Sequence, residues 1–366
     1  MKQTLFASLS LGETTLRNRI AFAPLTRTRA EPDGTPSALM AEHYAQRASA
    51  GLLIAEATAI ASDAIAWLGM PGIFSESQVA GWKKVTDAVH AKGGTIFLQI
   101  WHPGRATHSL LNSGTRPVAP SPIAITSDEI HTLEGKKPYE TPRALEEDEI
   151  PDFVNQFKRA AKHAKEANFD GVEIHAANGY LIDQFLQSAS NHRQDAYGGS
   201  IEKRYRFLDE VVKSVLEVFP AKQIGVRLSP NGNFNDMGSD DYREQFAYTA
   251  RQLETYDLGY LHVIDGLGFG FHEKGEAMTL EEFRPLYSGV LMGNCGYTKE
   301  SAEERIEAGH ADMIAFGRPF MSNPDLVERF ANDWALNPEV DQSQWYGSPS
   351  PQGYTDQPTA QEAGIA

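Results

Sequence analysis

The sequence predicts a single (β/α)8 TIM barrel, an α/β fold, and three observations carry that reading. Eight short apolar runs recur along the chain, each followed by a polar or glycine-containing loop and then by a stretch with helical periodicity. These runs lack a sustained polar alternation, as expected of strands covered on both faces by helices. No Gly-x-Gly-x-x-Gly turn follows the first run, where an open dinucleotide-binding sheet would carry one.

Taken in order, Leu9-Ser10-Leu11-Gly12-Glu13-Thr14-Thr15-Leu16 alternates around a glycine turn and predicts a β-hairpin capping the barrel bottom. The barrel strands are Ile20 to Ala23, Leu52 to Ala57, Thr95 to Ile100, Gly171 to Ile174, Ile224 to Leu228, Tyr260 to Val263, Gly289 to Met292 and Met313 to Phe316. Helices are predicted over Ser37 to Ala50, Ser77 to Ala91, Ile150 to Ala167, Ser200 to Phe219, Asp240 to Tyr256, Leu280 to Tyr287, Thr298 to Ala308 and Pro324 to Trp334. Ser77, Ser200 and Thr298 are the start signals, each a hydroxyl residue just ahead of a periodic stretch. The third loop, from Trp101 to Asp148, is far longer than an ordinary connection and holds Pro103, Pro117, Pro120, Pro122, Pro138 and Pro142. A lid over the C-terminal ends of the strands is its expected role. Residues 1–336 form the barrel in this reading, and 337–366, rich in Pro, Gly, Gln and Ser, an extended tail anchored by Tyr346 and Tyr354.

Composition narrows the function. The 366 residues carry 33 Lys and Arg against 49 Asp and Glu, a formal net charge of −16 without any long basic block. Such a balance repels phosphate-rich partners, so neither nucleic acid nor an anionic membrane surface is expected as a ligand. Cys295 is the only cysteine, which excludes an intrachain disulfide and cysteine-based zinc or iron–sulfur sites. No run reaches the ~20 apolar residues that span a bilayer, and Met1 to Ser10 has no sustained apolar stretch. A cytoplasmic protein follows, monomeric or homodimeric.

Barrel chemistry lies where the strands end. The glycines of Gly293-Asn294-Cys295-Gly296-Tyr297 and Gly317-Arg318-Pro319 let backbone amides approach an anion, and Arg318 adds a charged donor, so a phosphorylated ligand fits there. Tight turns and a surface ion pair are the alternative. Gln99 and Arg227, an amide and an obligate cation, could bracket a planar heteroaromatic ring on which negative charge develops, a reduced flavin better than a sugar phosphate. A core hydrogen bond and a salt bridge would explain the same residues. In His175-Ala176-Ala177-Asn178-Gly179-Tyr180, the His and Asn could donate to a carbonyl or nitro oxygen and Tyr180 could act as general acid. A structural histidine is the bland counterpart. No set with metal-ligand spacing and no Gly-x-Ser-x-Gly elbow occurs.

These residues resemble the Old Yellow Enzyme flavoproteins, particularly the bacterial N-ethylmaleimide, pentaerythritol tetranitrate and morphinone reductase group. The likeness runs from Leu16-Arg17-Asn18-Arg19-Ile20 to Gly353-Tyr354-Thr355-Asp356. It includes Ala23-Pro24-Leu25-Thr26-Arg27, Gln99-Ile100-Trp101-His102-Pro103-Gly104-Arg105, Gly171-Val172-Glu173-Ile174-His175-Ala176-Ala177-Asn178-Gly179-Tyr180-Leu181 and Ala315-Phe316-Gly317-Arg318. The resemblance implies an FMN barrel that takes hydride from NADPH or NADH and reduces small-molecule activated alkenes. It places Ala23, Pro24, Leu25, Thr26 and Ala57 against the flavin, with Gln99, His175 and Arg227 near its ring and Gly293, Asn294, Gly317 and Arg318 near its phosphate. His175 and Asn178 would grip the substrate oxygen, Tyr180 would supply the proton, and Trp101 and Tyr354 would shape the cavity. Where relatives carry a tryptophan after strand six, this chain has Asp265-Gly266-Leu267-Gly268-Phe269-Gly270, so the wall there is expected to be either more open or filled by Phe269. A non-catalytic flavin protein and a flavin-independent sugar-phosphate enzyme are the competing readings.

Overall fold

The computed structural model describes residues 4–268, 270–347 and 349–366. Strands β1 (Leu9–Leu11) and β2 (Thr14–Leu16) pair antiparallel, Leu9 opposite Leu16. Leu11 and Leu16 pack with Leu52, Ile54, Phe97, Tyr260, Met292 and Met313, so the hairpin plugs the lower end of the barrel.

The chain then runs through β3 (Ile20–Phe22), α1 (Ala38–Gln46), β4 (Leu52–Ala59), α2 (Glu76–Ala91) and β5 (Ile96–Trp101). In the long third loop lie β6 (Val118–Ala119), the hairpin of β7 (Glu129–Thr132) and β8 (Gly135–Pro138), and β9 (Arg143–Ala144), which pairs with β6. There follow α3 (Ile150–Glu166), β10 (Gly171–Ala176), α4 (Leu181–Leu186), α5 (Ile201–Leu216), β11 (Ile224–Leu228), α6 (Tyr242–Glu254), β12 (Tyr260–Ile264) and α7 (Leu280–Phe283). The last elements are β13 (Leu291–Asn294), α8 (Lys299–Glu307), β14 (Met313–Phe316), α9 (Arg318–Ser322) and α10 (Leu326–Ala331). Eight parallel strands close in the order β10, β11, β12, β13, β14, β3, β4, β5, the last pairing back with β10. This is the (β/α)8 barrel expected.

Three local expectations change. The α2 start is Ser75, not Ser77: Ser75 Oγ accepts from Gln78 N–H while Gln78 Oε1 accepts from Ser75 N–H, a capping box. Strand β13 lies two residues later than expected, because Leu291 N–H binds the Asp312 carboxylate at 2.9 Å while Gly289 C=O accepts from Arg284. The short helices α4 and α9, too brief for a periodic signal, were outside the expected pattern.

Residues beyond 336 pack back across the upper barrel. Arg27 donates through Nε to Trp345 C=O and through Nη2 to Gly353 C=O, each at 2.8 Å. The Tyr354 ring is fully buried, stacked on His43 at 3.9 Å, with the Arg27 and Arg29 guanidinium groups each 5.1 Å from its centroid. Among the described residues no helix is long and apolar enough to cross a membrane.

Candidate active site

A cavity of about 440 Å³ opens at the C-terminal ends of the barrel strands. One wall is small and apolar: Ala23, Pro24, Leu25 and Thr26 after β3, Ala57 of β4, and Ala315 and Phe316 of β14. Gln99, Arg227 and Asn294 form a polar wall, joined by His175 near the end of β10 and by Asn178 and Tyr180 of the turn that follows it.

Strand register explains the polar wall. Gln99 pairs with Glu173, and His175 with Arg227, which pairs in turn with His262. Gln99 Nε2 donates to Glu173 Oε1 at 2.7 Å, so the amide is held by its nitrogen and its carbonyl end is left for the cavity. Arg227 donates through Nη2 to Asn294 Oδ1 at 2.6 Å, and Asn294 Nδ2 donates to Ala315 C=O at 2.8 Å. The buried Nε of Arg227 has no partner within the protein. Orphaned buried donors are rare and call for an acceptor from elsewhere, and an electron-rich ring edge lying in the cavity would supply one.

The His175 imidazole accepts the Ala177 N–H through Nδ1 at 3.3 Å, which leaves its proton on Nε2. Burial, then Arg227 and His262, hold its pKa well below the usual histidine value, so the ring is a neutral donor. Asn178 is in the left-handed region at φ 58° and Gly179 at φ 72°. Side chains hold this turn on both sides: Asn178 N–H donates to Ser229 Oγ at 2.7 Å and Gly179 N–H to Asp183 Oδ2 at 2.8 Å, while Asn178 C=O accepts from Asn235 Nδ2 and Gly179 C=O from Gln184 Nε2. A Cβ on Gly179 would lie 2.6 Å from Met237 Cγ, so glycine is required twice over. Burial pushes the Asp183 carboxyl up to about 7. Tyr180 stands edge-on to Trp101 and to His175, with centroids 4.9 and 5.1 Å away. Burial, then Tyr139 and Tyr346, raise its hydroxyl pKa, so it stays protonated.

At the far end, Cys295 (φ 86°) and Gly296 (φ 81°) line the cavity with Gly317 and Arg318. Gly296 has nothing within 4 Å of where a Cβ would be. The Arg318 guanidinium lies over the Trp345 ring at 4.8 Å and salt-bridges no carboxylate among the described residues, which leaves its charge available to an anion. Asp265, pushed up to about 6 by burial, accepts from Tyr297 Oη at 2.5 Å and from Asn294 N–H at 3.3 Å and so fixes this loop.

Three expected residues fall elsewhere. Gly293 lies behind the wall on β13, where a Cβ would crowd Leu280 and Ile314. Trp101 is fully buried and stacks on Trp67 at 5.3 Å, and it is Trp67 that faces the cavity. Tyr354 is no cavity residue: its ring fills the slot between His43 and the two arginines, and Tyr346 of the same segment takes the wall. Phe269 lies outside the described residues. Trp67, Phe234 and Tyr346 were not anticipated as lining residues, since they sit well beyond the strand ends, and Tyr297, three residues after β13, was expected only as the end of the glycine-containing run. Among the described residues no group of His, Cys, Asp and Glu could hold a metal ion.

Comparison with known proteins gives a consistent result. The sequence profile of the NADH:flavin oxidoreductase / NADH oxidase family matches residues 4–337. A probable flavin mononucleotide-dependent alkene reductase of Leishmania infantum is 42% identical over 355 residues, 96% of either chain. The old yellow enzyme homologue from Zymomonas mobilis superposes with a TM-score of 0.93 at 44% identity, over 97% of this chain and 99% of that one. Morphinone reductase in complex with tetrahydroNAD superposes at 0.91 with 44% identity, over 97% of each chain.

Proposed function

Because the chain belongs to the NADH:flavin oxidoreductase / NADH oxidase family and is an FMN-dependent oxidoreductase of the Old Yellow Enzyme type, we propose that it reduces the activated C=C bond of α,β-unsaturated carbonyl compounds, maleimides or nitroalkenes. The observation that carries this reading is the convergence of His175, Asn178 and Tyr180 on one cavity with the orphaned Arg227 donor.

The flavin ring is proposed to rest on Ala23, Pro24, Leu25, Thr26 and Ala57, with Gln99 and Arg227 on its polar edge. Asn294, Gly317 and Arg318 are the proposed phosphate contacts. FMN held by these residues would supply hydride chemistry between NADPH or NADH and the substrate β-carbon. All remaining work falls to the chain. His175, donating from Nε2, and Asn178 bind the substrate oxygen and stabilise the negative charge that gathers on it, a term of a few kcal/mol. Tyr180 delivers its Oη proton to the α-carbon. Trp67 and Tyr346 are the proposed aromatic walls, and Trp101 backs Trp67 and Tyr180 from the core. A cytosolic setting is supported by the lone Cys295 and the acidic balance.

The purified protein should be yellow, bleach anaerobically with NADPH and recover its colour when 2-cyclohexenone is added. A protein that takes up no FMN overturns the reading.

A further inference from the structure

One ionisable pair inside the barrel has no part in the steps above. Glu173 of β10 and His262 of β12 are fully enclosed, with His262 Nδ1 2.8 Å from Glu173 Oε2. The other carboxylate oxygen accepts from Gln99 Nε2 at 2.7 Å. Gly225, opposite Glu173 on the next strand, leaves room for the Tyr260 ring, which would lie 2.2 Å from a Cβ there. A buried carboxyl resists ionisation. Burial does raise Glu173, yet His262, Arg227 and Gln99 outweigh it and hold its pKa below the usual glutamate value. His262 is itself lowered by burial, so it acts as a neutral donor. Glu173 is opposite Gly225, and Arg227 stands two residues further along the same strand, so both side chains are on the same face of adjacent strands. With Glu173 negative and Arg227 positive, Glu173 is, after burial, the largest influence on the Arg227 guanidinium.

We propose that Glu173 is the counter-charge of Arg227 and a positioning residue for Gln99, and that it thereby sets how readily the bound FMN is reduced. The proposal rests on the flavin placement against Gln99 and Arg227 argued above. A reduced flavin carries extra negative charge, and an uncompensated Arg227 would stabilise that state, since a charge is felt strongly where water is excluded. Glu173 cancels part of that field, which keeps the reduced flavin an effective hydride donor. Its bond to Gln99 also fixes which end of the amide the ring meets.

The test is the position of the FMN redox equilibrium in the holoenzyme, read by absorbance against a reference dye. Glu173→Gln keeps an acceptor for Gln99 and loses the charge. The ratio of reduced to oxidised flavin should rise about tenfold at fixed dye potential, or ~30 mV for a two-electron couple. Glu173→Asp, which keeps the charge, should stay near the wild-type ratio. An unchanged ratio in folded, FMN-loaded Glu173→Gln, or equal shifts in both variants, overturns the proposal. If Glu173→Gln does not fold, His262→Gln supplies the reading. Its carboxylate has lost the imidazole partner, so the reduced fraction should exceed wild type increasingly as pH falls, and a profile parallel to wild type overturns the proposal. Gln99→Ala separates the two readings: FMN binding as tight as wild type in that variant refutes the flavin placement itself, whereas weakened binding there together with an unchanged ratio in Glu173→Gln refutes the role of Glu173 alone.

Discussion

His175 accepts the Ala177 N–H through Nδ1 at 3.3 Å, and this local bond decides that the imidazole donates, and does not accept, at the cavity. His175→Ala removes that donor and should slow enone-driven flavin reoxidation by about 10²- to 10³-fold, the range for one donor at a developing oxyanion. Anaerobic rapid mixing of reduced enzyme with 2-cyclohexenone measures it, and a loss under tenfold would refute the oxyanion role.

Tyr180 is edge-on to His175 and keeps its proton because it is buried. Tyr180→Phe should leave flavin reduction by NADPH near wild type while alkene reduction falls by roughly 10²- to 10⁴-fold. The two half-reactions are read separately by stopped-flow absorbance. Equal losses in both would remove Tyr180 from the proton-donor role.

Asp183 gives stability a pH signature. Burial places its carboxyl at about 7, against an ordinary value of 3.8, so the folded state holds a proton that the unfolded chain has already released between those limits. Its contribution is fully present below about pH 4 and is lost as pH rises to about 7. Asp183→Asn should flatten that decline by an amount on the order of a few kcal/mol. Urea midpoints at several pH values check this, and an unchanged slope would count against the assignment.

Tyr354 and Tyr346 should separate cleanly. Tyr354→Ala empties the slot against His43 and should cost about 3–5 kcal/mol, as for other buried aromatics, and should expose residues 337–366 to protease. Tyr354→Phe should be neutral or slightly stabilising, because the buried hydroxyl has no hydrogen-bond partner. Tyr346→Ala should leave the melting temperature nearly unchanged and alter KM for bulky enones. A KM effect from Tyr354→Phe would reverse these assignments.

The barrel was legible because its strands are continuous apolar runs, and continuity is a direct consequence of burial on both faces. The polar wall was legible as well, since Gln99, His175, Arg227 and Asn294 stand at or next to strand ends. Trp67 and Tyr346 were not, because an aromatic in an irregular loop carries no periodicity that tells inward from outward. Choosing between Tyr346 and Tyr354 needed the three-dimensional positions of His43, Arg27 and Arg29, which lie about 300 residues away and leave no local mark. The role of Glu173 was hidden for a related reason: its partners are on three different strands.

The Arg27 bond to Gly353 joins residues 326 positions apart. The cavity wall at Tyr346 is therefore held from the opposite end of the chain: Arg27 does not line the cavity, yet a substitution there is expected to loosen the aromatic face almost as directly as a change at Tyr346 itself.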